Sequence, residues 1–559
     1  MRSALRLTSI LGTLLLAGTA LAEPRIASVL PGAAPGEWVV TLEGAGAKPA
    51  LLLDGKPVDA VATAGRLTVR GAADARFLAL AEGGQPRAAV ALAPTPPAAG
   101  PLAVYHIFVG HFANGNKAND TEGLRGYVHK AYAGGDLQGL LSKVDHIASL
   151  GVTAVWLSPI FQAETDHGYD VLNYYRIGDV RAVPGKPEES LALYRRVRDA
   201  LHAKGIKLIL DVPLNHAHSN YDMAAGDPQG LKPKRTGAKQ KAEKTWEGWG
   251  AKFRYWDFDD SNTRRFLKDV ALHWLVGEGA DGLRLDYVRG VDHPFWAELY
   301  AEIKAAKPDA ILIGEAWQDD EGPEANAVDT ALYYRPVEGI GPQFDSLFDF
   351  PFQMAATEAF GRGASLVQVE EWLQRGEALY GRLGRPSYFL DNHDVARLNA
   401  WAGNKDRVVA AVGLMAALSG PAVLFYGTET GLAGQAKRGF TDEARIPMPW
   451  DGLDTAMIAK VRAYLEARKA HPALWRGARL PLLADDTALV MAKRDGDAMA
   501  LVGVNLSDKP RDVAVPVGSL LKAGASLSPV AGGEAPRIGA DGTATWRLAP
   551  NTTQIALTR

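Results

Sequence analysis

The chain of 559 residues contains no cysteine. Disulfides, thiol catalysis and a lipid-bearing cysteine are therefore excluded, and stability has to come from a packed core, with bound metal as the other available source. Charge of one sign is scarce too: 61 Lys and Arg stand against 64 Asp and Glu, a formal net charge of -3. Such a balance offers no field to hold a nucleic acid or another polyanion. A membrane-length apolar run is also missing. The nearest approach, Val408 to Tyr426, is interrupted by Ser419-Gly420-Pro421, which points to a buried helix followed by a buried strand, with no membrane insertion.

What is present is the composition of a globular protein, 47% hydrophobic and 22% charged, in a chain long enough for more than one packed unit. Arg2 and Arg6 precede the apolar run Ile10 to Ala17, which ends in Ala20-Leu21-Ala22. This order of charge, apolar core and small residues predicts an export signal over 1–22, cleavage after Ala22 and a secreted or periplasmic protein. Residues 23–99 show short alternating runs, such as Trp38-Val39-Val40-Thr41-Leu42, between Gly and Asp turns, and predict an N-terminal β-sandwich. The prolines of Ala93-Pro94-Thr95-Pro96-Pro97 make a stiff linker.

From residue 100 to 474 the pattern changes to short apolar strands alternating with longer helical stretches, as in parallel βα units. The candidate strands are Val104–Val109, Val152–Leu157, Ile206–Val212, Gly282–Asp286, Ala310–Gly314, Ser346–Phe348, Ser387–Leu390 and Ala422–Tyr426. Eight in succession predict an α/β fold, a closed (β/α)8 or TIM barrel. Ser261-Asn262 is read as the cap of a helix running to Val276. A small inserted domain, about 216–256, follows the third strand; its basic run Lys232-Pro233-Lys234-Arg235 is read as a solvated loop. Residues 475–559 predict a C-terminal β-sandwich domain.

Active sites of such barrels lie at the C-terminal strand ends. Polar residues gather there: Asp211 and Asn215-His216 after the third strand, Arg284 and Asp286 at the fourth, Glu315 at the fifth, Asn392-His393-Asp394 at the seventh. Three acids converging on one mouth meet the need of glycoside cleavage, in which two carboxyl groups flank the scissile bond. Beside the fixed cation of Arg284, Asp286 is expected to stay ionised as the nucleophile. Glu315, crowded by like charges, is expected to keep its proton and serve as the acid.

Four segments carry a resemblance: Asp211-Val212-Pro213-Leu214-Asn215-His216, Gly282-Leu283-Arg284-Leu285-Asp286, Gly314-Glu315-Ala316-Trp317 and Phe389-Leu390-Asp391-Asn392-His393-Asp394. In order and separation they resemble the four signature regions of the alpha-amylase family, glycoside hydrolase family 13. The likeness runs from about Val104 to Arg468. It sharpens toward the neopullulanase and cyclomaltodextrinase branch at Val291-Asp292-His293-Pro294-Phe295-Trp296 and Phe344-Asp345-Ser346-Leu347-Phe348. The resemblance implies a retaining hydrolase of alpha-1,4-glucosidic bonds in maltooligosaccharides, starch fragments, cyclodextrins or pullulan. Asp286 would be the nucleophile, Glu315 the acid and base, and Asp394 the stabiliser. It further implies that His216 and His393 bind the sugar, that Tyr169 stacks on it, that Arg284 orients Asp286 and that Asp211 anchors the site. Asp166, before His167, has a counterpart in exo-acting relatives.

Other positions depart from that branch. Trp256-Asp257-Phe258-Asp259 stands for its fifth signature, Gly290 for a His or Glu, and Arg445-Ile446-Pro447-Met448-Pro449-Trp450 looks more like oligo-glucosidases and amylases. Endo and exo action both stay open. So do transfer to a sugar on the same scaffold, as in an alpha-glucanotransferase, and sugar binding without catalysis. Trp246, Trp249 and Trp256 are read either as sugar platforms or as core. The N-terminal β-domain is open to starch binding or to a homodimer interface.

The stretch Asn114-Gly115-Asn116-Lys117-Ala118-Asn119-Asp120 with Gly134-Gly135-Asp136 is similar to a calcium loop of relatives in this family. Closely spaced amide and carboxylate oxygens suit a cation that takes six to eight of them. The resemblance implies Asn114, Asn116, Asn119, Asp120, Gly134 and Asp136 as ligands of a structural calcium.

Overall fold

Eight short, buried strands form the centre of the chain: Ala103–Ile107, Ala154–Leu157, Lys207–Val212, Gly282–Leu285, Ile311–Gly314, Ser346–Leu347, Tyr388–Phe389 and Ala422–Phe425. Near-continuous apolar runs are what a parallel sheet covered on both faces requires. This is a computed structural model that describes residues 24–44, 50–63, 65–94, 100–120, 133–218, 220–221 and 253–558. Counting barrel strands along the chain, neighbours pair in the order six, five, four, three, two, one, eight, seven. The remaining seam is closed by a parallel bridge between Phe348 and Ser387, where the Ser387 N–H donates to the Leu347 carbonyl at 2.8 Å. The result is the (β/α)8 barrel read from the sequence, with β-rich units on either side.

Register places the chemistry. Asp211 pairs with Arg284 across strands three and four, and Leu285 with Gly314 across strands four and five. Asp286 and Glu315 thus stand side by side, each one residue beyond its strand. The helix after the third strand runs Ser261–Leu272 and continues as a π-turn, His273–Gly277. Its cap is Asp260, whose side chain accepts from the Asn262 N–H, and not Ser261-Asn262. The run that approached membrane length resolves into a buried helix, Lys405–Ala416, and the eighth strand. Among the described residues no helix is long and apolar enough to cross a membrane.

The residues from 25 to 91 build two four-stranded sheets, and those from 478 to 558 a five-stranded and a three-stranded sheet. Both units feed one apolar cluster, in which Ile26, Val29, Val40 and Val90 meet Leu480, Val490, Leu501 and Trp546. A clasp ties the first unit to the barrel helix Leu366–Leu379. The Gln374 side chain accepts from the Ile26 N–H at 2.9 Å and donates to the Ile26 carbonyl at 2.7 Å.

At the third βα connection, His216–His218 pairs antiparallel with Phe253–Tyr255. The inserted segment between them, including residues 232–235, Trp246 and Trp249, lies outside the described residues, as do residues 1–22 and most of the proline linker. Trp256 is core: it packs on Phe266 and its indole N–H donates to the Tyr174 hydroxyl at 3.2 Å.

Candidate active site

The strand ends gather four carboxyl groups around two buried guanidinium groups. Arg284 is the hub of the first set. Its Nη1 lies 3.0 Å from both oxygens of Asp211 and 2.7 Å from Asp286 Oδ1, and its Nη2 lies 2.7 Å from Glu315 Oε2. Asp211 also accepts from the Trp156 indole N–H at 3.0 Å and the Tyr169 hydroxyl at 2.8 Å. Three donor groups that cover both oxygens of one buried carboxylate make Asp211 an anchor with no oxygen left over for a substrate. The Tyr287 N–H donates to Glu315 Oε2 at 3.3 Å.

Arg445 is the hub of the second set. Its Nη2 donates to Asp394 Oδ1 at 2.9 Å, its Nε to the His393 carbonyl at 2.8 Å, and its Nη1 lies 2.8 Å from Asp442. The turn that presents Asp394 is shaped by Asn392, whose side-chain oxygen accepts from the N–H groups of Asp394 and Val395. Tyr169 joins the two sets. Its ring stacks on His393 with centroids 5.3 Å apart, and its hydroxyl stands 2.6 Å from His393 Nε2. The single hydroxyl proton goes to Asp211, so the Nε2 of His393 must be the donor in that contact.

Burial works against every charge here. It raises Asp211 to about 6 and both Asp286 and Asp394 to about 7, and it raises Glu315 as well, in each case against the pull of a neighbouring guanidinium. The expected division, with Asp286 held ionised by Arg284 and Glu315 alone holding a proton, is corrected on this point. Arg284 touches both carboxyl groups, so its field does not separate them, and desolvation acts on both. The free site retains protons shared over the set. Burial and nearby cations push His393 well below the usual histidine value, and burial brings His216 to about 3; both are neutral at ordinary pH.

The pocket is lined by Tyr169, Asp286, Glu315, His393 and Asp394 among the residues singled out from the sequence. Arg284 and Asp211 sit behind them as supports. His216 lies just behind the wall: it is buried, with Nε2 3.0 Å from the Tyr169 carbonyl, and it steadies the backbone of the stacking residue. Asp166 is likewise buried and does not line the pocket; its carbonyl accepts from Arg181. The wall contains residues that the sequence reading did not assign: His167, Phe253, Tyr287, Trp317, Gln318, Asp319, Phe440, Asp442 and Arg445. Gln318 and Asp319 follow directly on the Glu315 segment, so reading two residues further finds them. Phe440 and Asp442 come from the connection after the eighth strand, where no spacing or repeat marks them.

A second polar cluster lies at 114–136. The Asn114 amide reaches both oxygens of Asp120 at 2.9 Å, and a side chain at Gly134 would collide with both residues. Asp136 receives N–H groups from Gly115, Asn116, Gly139 and the Asn119 amide, which fills its lone pairs and makes it the cap of the helix Leu137–Ser142. Asn119 is 2% exposed and its Oδ1 has no hydrogen-bond donor. An orphaned buried oxygen beside Asn114, Asn116 and Asp120 fits a hard cation, with Asp136 as the scaffold behind it.

The sequence matches the alpha-amylase catalytic domain over residues 106–473. The chain is 29% identical over 450 residues to a cyclomaltodextrinase of Geobacillus thermopakistaniensis, covering 74% of this chain and 70% of that protein. It is 30% identical over 400 residues to neopullulanase 2 of Thermoactinomyces vulgaris, covering 64% and 60%. Among solved structures, an Anoxybacillus alpha-amylase superposes with a TM-score of 0.69 at 29% identity, over 82% of this chain and 97% of its own. A cyclomaltodextrinase structure superposes over 95% of this chain and 98% of its own, with a TM-score of 0.67; at 22% identity that is a likeness of fold alone.

Proposed function

The chain belongs to the alpha-amylase family of glycosidases, and from that premise we propose that it hydrolyses alpha-1,4-glucosidic bonds in alpha-glucans with retention at the anomeric carbon. The observation that carries the reading is the single guanidinium of Arg284 bridging Asp286 and Glu315 at 2.7 Å each. One planar group in contact with both carboxyl groups supports a retaining pair, whose members stand closer than those of an inverting pair, which must leave room for water. The names of the relatives, cyclomaltodextrinase and neopullulanase, support an alpha-glucan as substrate.

In the proposed reaction an Asp286 oxygen attacks the anomeric carbon while Glu315 gives its proton to the departing glycosidic oxygen. Glu315, now a carboxylate, takes a proton from water, which displaces Asp286 and restores both groups. Tyr169 and His393 hold the sugar on the glycone side, where the Tyr169 ring offers a flat apolar face and the neutral imidazole stacked on it keeps that ring in place. Asp394, fixed by Arg445, grips sugar hydroxyl groups. The reacting form is the one in which Asp286 has lost its proton to solvent while Glu315 keeps its own, and the positive charge that builds on the sugar stabilises the Asp286 carboxylate.

The reading includes two further parts. Calcium would be held by Asn114, Asn116, Asn119 and Asp120 with the Gly134 carbonyl, and would supply a rigid staple beside the first barrel strand and take no part in the chemistry. Export by the signal at 1–22 would place the enzyme outside the cytoplasm. The test of the activity is chromatography of the products from cyclodextrin, pullulan, starch and maltotriose, comparing the intact enzyme with Asp286→Ala. Turnover that vanishes in the variant supports the assignment. Folded, calcium-supplied protein that acts on none of them overturns it.

A further inference from the structure

We propose that Arg397 and Tyr426 are positioning residues for Asp394: together they clamp the backbone on both sides of Arg445 and so fix the guanidinium that holds the Asp394 carboxyl group. The inference rests on the alpha-glucan hydrolase reading above, in which Asp394 grips the reacting sugar.

The connection after the eighth strand needs such a clamp. Between Phe425 and the helix that begins at Thr455 it has only two short turns, Thr428–Thr430 and Trp450–Gly452. Yet it carries Phe440, Asp442 and Arg445 to the pocket wall. A loop without regular structure places a side chain well only where other groups lock it. Arg397 Nε donates to the carbonyl of Ala444, the residue before Arg445, at 2.9 Å, and its Nη1 donates to the Tyr426 carbonyl at 2.7 Å. The Tyr426 hydroxyl donates to the carbonyl of Ile446, the residue after Arg445, at 2.5 Å. Both neighbours of Arg445 are thus held, and the two holders are joined to each other.

The contacts form a ring that begins and ends at Asp394. Arg397 follows Asp394 closely in the chain; from it the path runs to Ala444, on to Arg445, and by Arg445 Nη2 back to Asp394 Oδ1 at 2.9 Å. The Thr441 N–H adds a second link, donating to the Asp394 carbonyl at 2.8 Å. Arg397 is fully buried, with its guanidinium over the rings of Phe425 and Tyr426 at 4.3 and 4.8 Å, and among the described residues no carboxylate stands within ion-pair reach of it. Asp391 is the acid whose field it feels, but the oxygens of Asp391 are taken by the Leu398 N–H and the Thr428 hydroxyl. A buried cation without an ionic partner is costly. Charge pairing therefore does not explain Arg397, whereas the reach of its planar fork to two separate carbonyls does. Neither Arg397 nor Tyr426 lines the pocket, so their route to the sugar is through Arg445.

The test is a double-mutant cycle in the full-length enzyme, with maltotriose and with an aryl maltoside whose good leaving group keeps slow variants measurable. Tyr426→Phe removes only the hydroxyl and keeps the ring under Arg397; Arg397→Lys keeps the charge and loses the fork. Tyr426→Phe lowers kcat about three- to ten-fold, as one lost hydrogen bond allows. Arg397→Lys lowers it by at least about ten-fold, since a misplacement of about 1 Å at a reacting centre can cost more than that. KM stays within about two-fold in both, because the grip that is lost belongs to the transition state. In an Arg445→Lys background, where the hold on Asp394 is already broken, neither substitution lowers kcat further. Losses that multiply in that background mark a merely structural role and overturn the proposal. A folded Tyr426→Phe with unchanged kcat overturns it as well, and that arm decides alone where Arg397→Lys does not fold. Wild-type enzyme inert on both substrates overturns the alpha-glucan reading itself.

Discussion

Arg284, on the fourth barrel strand, and Asp286, one residue beyond its end, point the same way into the barrel mouth and meet at 2.7 Å. Alternation along a strand makes i and i+2 share a face, so the spacing alone puts the cation beside the nucleophile. Arg284 also serves Asp211 and Glu315, which makes it the one group that most of the site depends on. Arg284→Lys keeps the charge but not the planar fork. We expect kcat to fall by at least about a hundred-fold in that variant, measured with maltotriose under saturating conditions.

Buried carboxyl groups bind protons in the folded state that they release on unfolding. Asp286 sits at about 7 against an unfolded value of about 4. The folded protein therefore holds the extra proton between these values, and stability falls as pH rises through that window. Asp286→Asn removes the cost. Its melting temperature should exceed that of wild type by about 2–4 °C at pH 8, with the gain shrinking toward pH 4. A gain that grew on acidification would contradict the assignment.

The same burial shapes the rate profile. With Asp286 and Asp394 both raised to about 7, kcat/KM should decline on the acid side well above the range of an exposed carboxylate. Glu315→Gln cannot lose or give a proton and should flatten the alkaline limb, while its residual rate favours substrates with good leaving groups. A pH series on an aryl maltoside checks both expectations.

Chelation probes the cluster at 114–136. If calcium is held there, excess chelator lowers the melting temperature of wild type and added calcium restores it. Asp120→Ala should be less stable and no longer respond to chelator. Asp136→Ala loses a helix cap that answers four N–H groups and should melt lower whether or not calcium is present.

Gln374 gives a test of the clasp. Gln374→Leu leaves the N–H and carbonyl of Ile26 buried without partners, a cost of about 1–3 kcal/mol per group left unmatched. Denaturant titration reads the loss directly.

Barrel strands were legible because a buried parallel strand is a short apolar run bounded by turns, a pattern that local reading detects. The signature acids were legible for a related reason: Arg284 and Asp286, or Asn392 and Asp394, lie within one short segment. Residues that reach the pocket over a long connection, Phe440 and Asp442, carry no such local mark. The protonation of Asp286 was misjudged because sequence shows that Arg284 is near but not that Glu315 shares it. Nor does spacing show desolvation, which here outweighs the cation. The contact of His216 with the Tyr169 carbonyl, 47 residues away in the chain, was not legible because no local spacing marks it.

The apolar cluster that joins residues near Ile26 to residues near Trp546 bears on how the molecule survives. The apolar face that carries Ile26, Val29, Val40 and Val90 is covered by strands that begin only at Ala478, on the other side of the whole barrel in the chain. Removing those strands would leave every signature acid in place and still bare that face, the kind of exposed apolar surface that chaperones and proteases recognise. Integrity of the shared cluster is thus a condition on the molecule's survival that the catalytic residues do not report.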